Sequence, residues 1–190
     1  DEEFGGEKRD QKFITPVKFN YIQQYQKLTG DEKVKEYFDK SLITIAHSGV
    51  FDPLDGGFYR YTVDPYWNIP HFEKMLYDNA QVLGLYSNAF KQSKNSVFKE
   101  RVFQTFNFLK KRMANPAGGY YSAIDADNNE GEGRYYVFSK ESLQAAAEDD
   151  FDLLIAYFNI DLNEPFEEYF YNLKLRPIDS AFLEQYKIDR

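Results

Sequence analysis

Three glycine pairs punctuate this chain, and their spacing limits what it can fold into. Gly5-Gly6, Gly56-Gly57-Phe58 and Gly118-Gly119-Tyr120 lie 56 − 5 = 51 and 118 − 56 = 62 residues apart. Each interval has room for two helices and two connections. That is the unit of an α-hairpin array, in which every pair of helices buries its apolar face against its neighbours. Chance is the competing explanation, since the chain has 11 glycines and six of them fall in these pairs.

The intervening segments follow a helical period. Thr15 to Leu28 carries Phe19, Ile22, Tyr25 and Leu28 at steps of three or four, with Pro16 in its first turn and Thr29-Gly30 to end it. Asp31 and Glu32 open a second helix whose stripe is Val34, Tyr37, Phe38, Ser41, Leu42 and Ile45, stopping near Gly49. A third is expected from about Pro70, with Phe72, Met75, Leu76, Leu83, Tyr86 and Phe90 on one side. A fourth spans about Ser96 to Ala114 with Phe98, Val102, Phe106, Leu109 and Met113. Between them the chain turns to Gly, Asp and aromatics. Tyr120–Ile124 and Arg134–Phe138 read as two strands joined by DADNNEGEG, a small β-hairpin in a mainly α protein. Ser139 can cap a short helix over SKESLQAAAEDD, and another covers Phe151 to Phe158.

Composition removes several functions. At 190 residues one domain is expected. A net charge of −8 without a basic stripe argues against nucleic acid. Without cysteine there is no thiolate nucleophile or thiolate metal site, and His47 and His71 are the only histidines. No apolar run is long enough to span a bilayer, and DEEFGGEKRD lacks the marks of a signal peptide, so a soluble, cytoplasmic protein is expected. The 18% aromatic content suits sugar-stacking platforms, but core packing at helical spacing accounts for most of these rings.

Two stretches, DGGFYRYTVDPYWNIPHFEKMLYDNAQ and GGYYSAIDADNNEGEGRYYVFS, resemble the thioredoxin-domain-containing family of spermatogenesis-associated protein 20 and bacterial YyaL. EFGGEKRDQKF upstream and NLKLRPIDSAFLEQYKID downstream extend the resemblance to nearly the whole chain. It implies an (α/α)6 toroid of the kind found in six-hairpin glycosidases and N-acylglucosamine 2-epimerases, following a thioredoxin-like domain. This chain has no CxxC and no room for twelve helices, so residues 1–190 are expected to form about three of the six hairpins. A partial ring exposes faces that the other hairpins would cover, which predicts marginal stability or self-association. The toroid suggests a small carbohydrate ligand, with hydrolase and isomerase both open; fold alone does not fix function. A non-catalytic binding or scaffold domain beside a thioredoxin-like partner is the alternative.

Within these stretches several side chains carry candidate chemistry. On a helical wheel starting at His71, Asp78 returns to within about 20°, while Glu73 falls on the opposite side as a helix-start carboxylate. His71 is then a neutral imidazole moving a proton, or a residue bonded to a loop. Asp78 and Asn79 are expected to pin the helix to the GGFYRYTVD loop through Arg60, Tyr59 or backbone groups, and a buried Asn79 needs a partner. Arg60 can alternatively bind an acidic sugar, and Trp67 can serve as a stacking platform or a loop anchor. Asp125, Asp127 and Glu132 are candidates for the acid and base of glycosidic cleavage or epimerisation. The site is thus expected to use His71, Asp125 and Asp127 for catalysis and Arg60, Tyr59, Trp67, Asp78 and Glu132 for substrate. No metal or cofactor is expected: DADNN imitates a calcium loop, but its glycine comes one residue late and Tyr136 stands where a bidentate Glu is needed. Turn formation alone also explains DADNN.

Overall fold

The computed structural model describes residues 1–129 and 131–188. Glu130 of the acidic loop and Asp189 of the downstream motif lie outside them. In chain order the elements begin with β1 (Lys12–Phe13), α1 (Pro16–Thr29), α2 (Glu32–His47), β2 (Tyr61–Thr62), β3 (Pro70–His71) and β4 (Lys74–Met75). Next come α3 (Leu76–Ser93), α4 (Ser96–Phe108), β5 (Ala123–Ile124), β6 (Asp127–Asn128), β7 (Gly131–Glu132) and β8 (Val137–Ser139). The last are α5 (Lys140–Ala147), α6 (Phe151–Tyr157), β9 (Phe170–Asn172) and α7 (Ser180–Gln185). No helix among the described residues is long and apolar enough to cross a membrane.

The first two helices begin and end as their sequences dictate. Gly30 closes α1 in a left-handed conformation, its N–H donating to the Gln26 carbonyl. Asp31 caps α2 by accepting from the N–H groups of Lys33 and Val34. α1 packs on α2 and α3, and α4 packs on α2 and α3. The core at their centre includes Phe38, Leu42, Ile45, Val82, Leu85 and Tyr86. α1 departs from its expected stripe. Phe19 is buried with Gln23 and Gln26, whose amides both bond to Gln92 of α3 at 2.9 and 2.8 Å. Val17, Tyr21, Tyr25 and Leu28 form an exposed face instead.

α3 starts six residues later than its periodicity predicts. Residues 68–75 are drawn into short ladders: Tyr61 faces His71 and Thr62 faces Pro70, while Lys74 and Met75 face Ile124 and Ala123. Asp64 also takes the N–H groups of Asn68 and Ile69, which folds this segment back on residue 64 in a local turn. His71 and Asp78 therefore lie on different elements, and the wheel relation between them does not hold. Asn79, Val82, Leu85, Tyr86 and Ala89 are the buried positions of α3, with Leu83 and Phe90 half-buried.

The expected hairpin is also repartnered. β5 pairs with β4 and β8 pairs with β9, leaving β6 and β7 as a tight turn inside the acidic loop. α4 stops at Phe108 and widens into a π turn over Leu109–Met113. Ahead of that turn the buried stripe is Phe98, Arg101, Thr105 and Phe108, which leaves Phe106 exposed, and within the wider turn Leu109 and Met113 are both buried.

Candidate functional site

The glycine pairs close two loops of one design and a third, related loop that is one residue shorter. Asp52 accepts the N–H groups of Leu54 and Asp55 on Oδ1 at 2.9 and 3.1 Å, and its own N–H donates to the Gly57 carbonyl at 3.0 Å. Asp1 accepts from Glu3 and Phe4, both at 3.1 Å, while its nitrogen donates to Gly6 at 2.8 Å. Asn115 accepts from Ala117 at 2.9 Å, and its N–H donates to Gly119 at 3.0 Å. In every case both glycines have positive φ, which spares the loop the cost a Cβ would bring.

A lysine is buried in each of the two loops that begin with aspartate. Lys74 Nζ meets Asp52 Oδ2 at 2.6 Å and the Gly56 carbonyl at 2.9 Å, beneath the rings of Phe108, Tyr59 and Tyr136 at 4.5, 4.9 and 5.2 Å. Lys12 Nζ meets Asp1 Oδ2 at 2.6 Å and the Gly5 carbonyl at 2.8 Å, near the rings of Trp67 and Phe4. Burial draws both ammonium groups below the usual lysine range, and at Lys74 the charge of Asp52 opposes it. The third loop begins instead with the neutral Asn115, which brings no carboxylate for a lysine to answer.

Tyr59, next to the second loop, separates two depressions. On one side is a cleft of about 220 Å³, walled by Tyr59, Phe72, Tyr135, Tyr136 and Phe138, with Asp52, Asp55 and Asn172 among its polar groups. Phe72 and Tyr136 stack at 5.5 Å, and Tyr59 sets its edge against both at 5.2 Å. Burial pushes the Tyr136 hydroxyl up to about 12, helped by Asp52, and burial also raises Tyr59. At the rim Arg112 pairs with Asp55 at 3.3 Å and donates to the Tyr135 hydroxyl at 3.3 Å.

On the other side is a groove of about 340 Å³ lined by Arg60, just before β2, by Tyr77, Asp78 and Gln81 of α3, and by Phe13 and Thr15. Arg60 pairs with Glu73 at 3.2 Å. Asp78 is half-buried, and its Oδ2 has no hydrogen-bond partner in the protein. Burial pushes its carboxyl up to about 6; the Arg60 charge opposes that rise and Glu73 adds to it.

Three expected substrate residues, Tyr59, Arg60 and Asp78, therefore meet at one groove, while the other expected residues stand elsewhere. Trp67 is 0% exposed and donates its indole N–H to the Phe4 carbonyl at 3.0 Å, so it anchors a loop and offers no face for stacking. His71 stacks on Tyr61 at 4.9 Å, in a ladder that Phe13 continues, and its Nε2 lies 3.1 Å from Glu132. Asp125 and Asp127 are exposed, and Asp125 accepts the Asp127 N–H in a local turn. Asn79, expected to hold the neighbouring loop, accepts the Phe58 N–H at 2.7 Å and donates to the Phe58 and Met75 carbonyls. Among the described residues, no group of three or more His, Asp or Glu is placed to hold a metal ion. Sequence reasoning missed Asp52 and Lys74. Their signal was the repeated spacing of Asp1 to Gly5-Gly6 and Asp52 to Gly56-Gly57, each with a lysine downstream.

No family model matches the chain. Mouse spermatogenesis-associated protein 20 is 36% identical over 154 residues, 76% of this chain and 20% of that protein. The chain therefore spans about a fifth of the length of this relative. Among solved structures, cellobiose 2-epimerase from Spirochaeta thermophila superposes with a TM-score of 0.58 at 20% identity, over 66% of this chain and 34% of that one. A sugar epimerase from a ruminal bacterium gives 0.58 at 15% identity, over 96% of this chain and 54% of that one. At such identities the likeness concerns the fold alone. By sequence the chain is a homologue of spermatogenesis-associated protein 20, and by backbone it forms part of an (α/α)6 toroid with a few short strands.

Proposed function

We propose that this chain is a carbohydrate-active segment of an (α/α) barrel, and that the groove between β1 and α3 is its sugar-handling face. The observation that carries the reading is Asp78: a half-buried carboxyl titrating at about 6, with one oxygen unpartnered, beside Arg60 in a groove. A proton-transfer group works best when its pKa lies near the working pH. Ionised, Asp78 takes a proton from a sugar hydroxyl or from the carbon next to a carbonyl; protonated, it returns one. Arg60 donates to the sugar oxygens, and Tyr59 and Tyr77 flank the ring. Two structural neighbours are named as sugar epimerases, and isomerisation suits one titrating carboxyl better than hydrolysis, which needs two carboxyls flanking the bond.

The expected test uses the chain, and a longer relative containing it, against a panel of reducing mono- and disaccharides. Turnover should show an inflection near the Asp78 value of about 6, and Asp78→Asn should abolish both turnover and inflection. Unchanged turnover in that variant would sink the reading.

A scaffold role is the second reading, favoured by how completely Trp67, Asn79 and Lys74 are bonded within the protein. The exposed Val17, Tyr21 and Leu28 of α1 support further hairpins or a second copy packing there. About three hairpins in one domain, a thioredoxin-like companion domain and a cytoplasmic location belong to the same proposal. Light scattering of the chain against a Tyr21→Lys, Leu28→Lys variant tests self-association.

A further inference from the structure

The cleft on the far side of Tyr59 plays no part in the proton transfer proposed above, yet its walls are chemically selective. We infer that it is a second binding site, for one uncharged ring bearing several hydroxyls, the size and chemistry of a pyranose. Its volume of about 220 Å³ is smaller than the roughly 300–1,000 Å³ typical of drug-sized ligand pockets, which limits the occupant to about one ring.

Charge then narrows the class. Asp52 is buried and answered by Lys74 at 2.6 Å, and Asp55 is answered by Arg112 at 3.3 Å, so each carboxylate already has its cation. The aromatic cage that would suit a ligand ammonium is occupied by Lys74 itself. An ionic ligand would enter without an unpaired counter-charge, at the cost of its hydration. A neutral one keeps the pairs intact.

The walls separate neutral candidates. Exposed Tyr135 and half-buried Tyr136 and Phe138 present apolar ring surface, Tyr59 and Phe72 close the floor behind them, and Asp55, the Tyr135 and Tyr136 hydroxyls and Asn172 supply polar atoms around it. A carboxylate offers about four acceptor sites, more than the Arg112 contact of Asp55 uses. An indole or phenol brings one donor to such a rim. A pyranose brings an apolar C–H face for the rings and several hydroxyl donors for the oxygens.

The test follows tyrosine and phenylalanine ring resonances of the labelled chain while D-mannose or cellobiose is added. Shifts at Tyr135, Tyr136 and Phe72 are expected, with indole and choline as weaker probes. Tyr136→Leu should weaken binding about tenfold, the effect of losing one ring contact. Should that variant unfold, the exposed rim residue Tyr135 is replaced instead, and Tyr135→Ala should weaken binding by a similar factor. Asp78→Asn must leave these shifts in place, so failure of the groove reading stays distinct from failure of this one. Sugar shifts confined to Tyr77, no sugar shifts at all, or choline binding more tightly than sugar would each overturn the inference.

Discussion

At the first glycine pair, Lys12 is closed over by Phe4 and Trp67, and Trp67 is wholly buried. At the second, Lys74 has the same carboxylate and carbonyl partners, but the rings above it also wall an open cleft. The loop chemistry is the same in both, down to the Asx turn and the 2.6 Å ion pair. What differs is the aromatic roof. An internal ion pair in a Gly-Gly loop is therefore a structural part of this fold, and whether it borders a site depends on which rings the rest of the chain brings to it. The third loop supports the charge logic: with Asn115 in place of aspartate there is no carboxylate to neutralise.

The largest effect should come from breaking the second pair. Lys74→Met leaves Asp52 buried without its cation and should cost about 3–5 kcal/mol in urea unfolding. Adding Asp52→Asn, which imitates the third loop, should recover a large part of that loss. If the double variant is no more stable than Lys74→Met alone, the parallel between the loops is broken.

Lys12→Met should cost less, about 1–3 kcal/mol, because the Asp1 side chain is 12% exposed and its carboxylate can be hydrated. An equal loss at both lysines would show that the greater exposure of Asp1 has no energetic counterpart.

Glycine substitutions sharpen the comparison with the third loop. At Gly57 φ is 79° and an added Cβ would sit 2.5 Å from the Phe108 ring, so Gly57→Ala should cost about 2–4 kcal/mol. At Gly119 φ is 76° but nothing lies near the added atom, so Gly119→Ala should cost only about 1 kcal/mol. Thermal midpoints of the two variants check the order.

The smallest effect is expected across Tyr59, at Asp78. Its folded pKa of about 6 lies above the ordinary carboxyl value, so the folded state holds its proton longer than the unfolded chain does. Its contribution therefore weakens folding as pH rises from about 4 to about 6 and is constant above that. Asp78→Asn should remove this slope from a plot of thermal midpoint against pH and leave the protein slightly more stable at neutral pH.

Much of this was legible from local pattern. α2 follows its predicted stripe from the Asp31 cap to Ile45, because capping and a 3.6-residue period are local properties. Gly30 ends α1 for the same reason. Tyr59, Arg60 and Asp78 were named from their positions in the first motif, and all three line one groove, which does not by itself make them substrate residues. His71 was misplaced because a helical period over residues 70–78 competed with strand partners 10 and 50 residues away, Tyr61 and Ile124 facing His71 and Lys74. No local window contains those partners.

From its sequence alone, the chain specified where helices α1 and α2 begin and end, the three Gly-Gly turns and the absence of cysteine chemistry, since each depends on neighbouring residues or composition. Tertiary structure alone decided that Lys74 would pair with Asp52, that Trp67 would be sealed in and that Tyr59 would stand between a groove and a cleft. These outcomes rest on burial, and burial sets the worth of a charge or a ring through contacts between residues far apart in the chain.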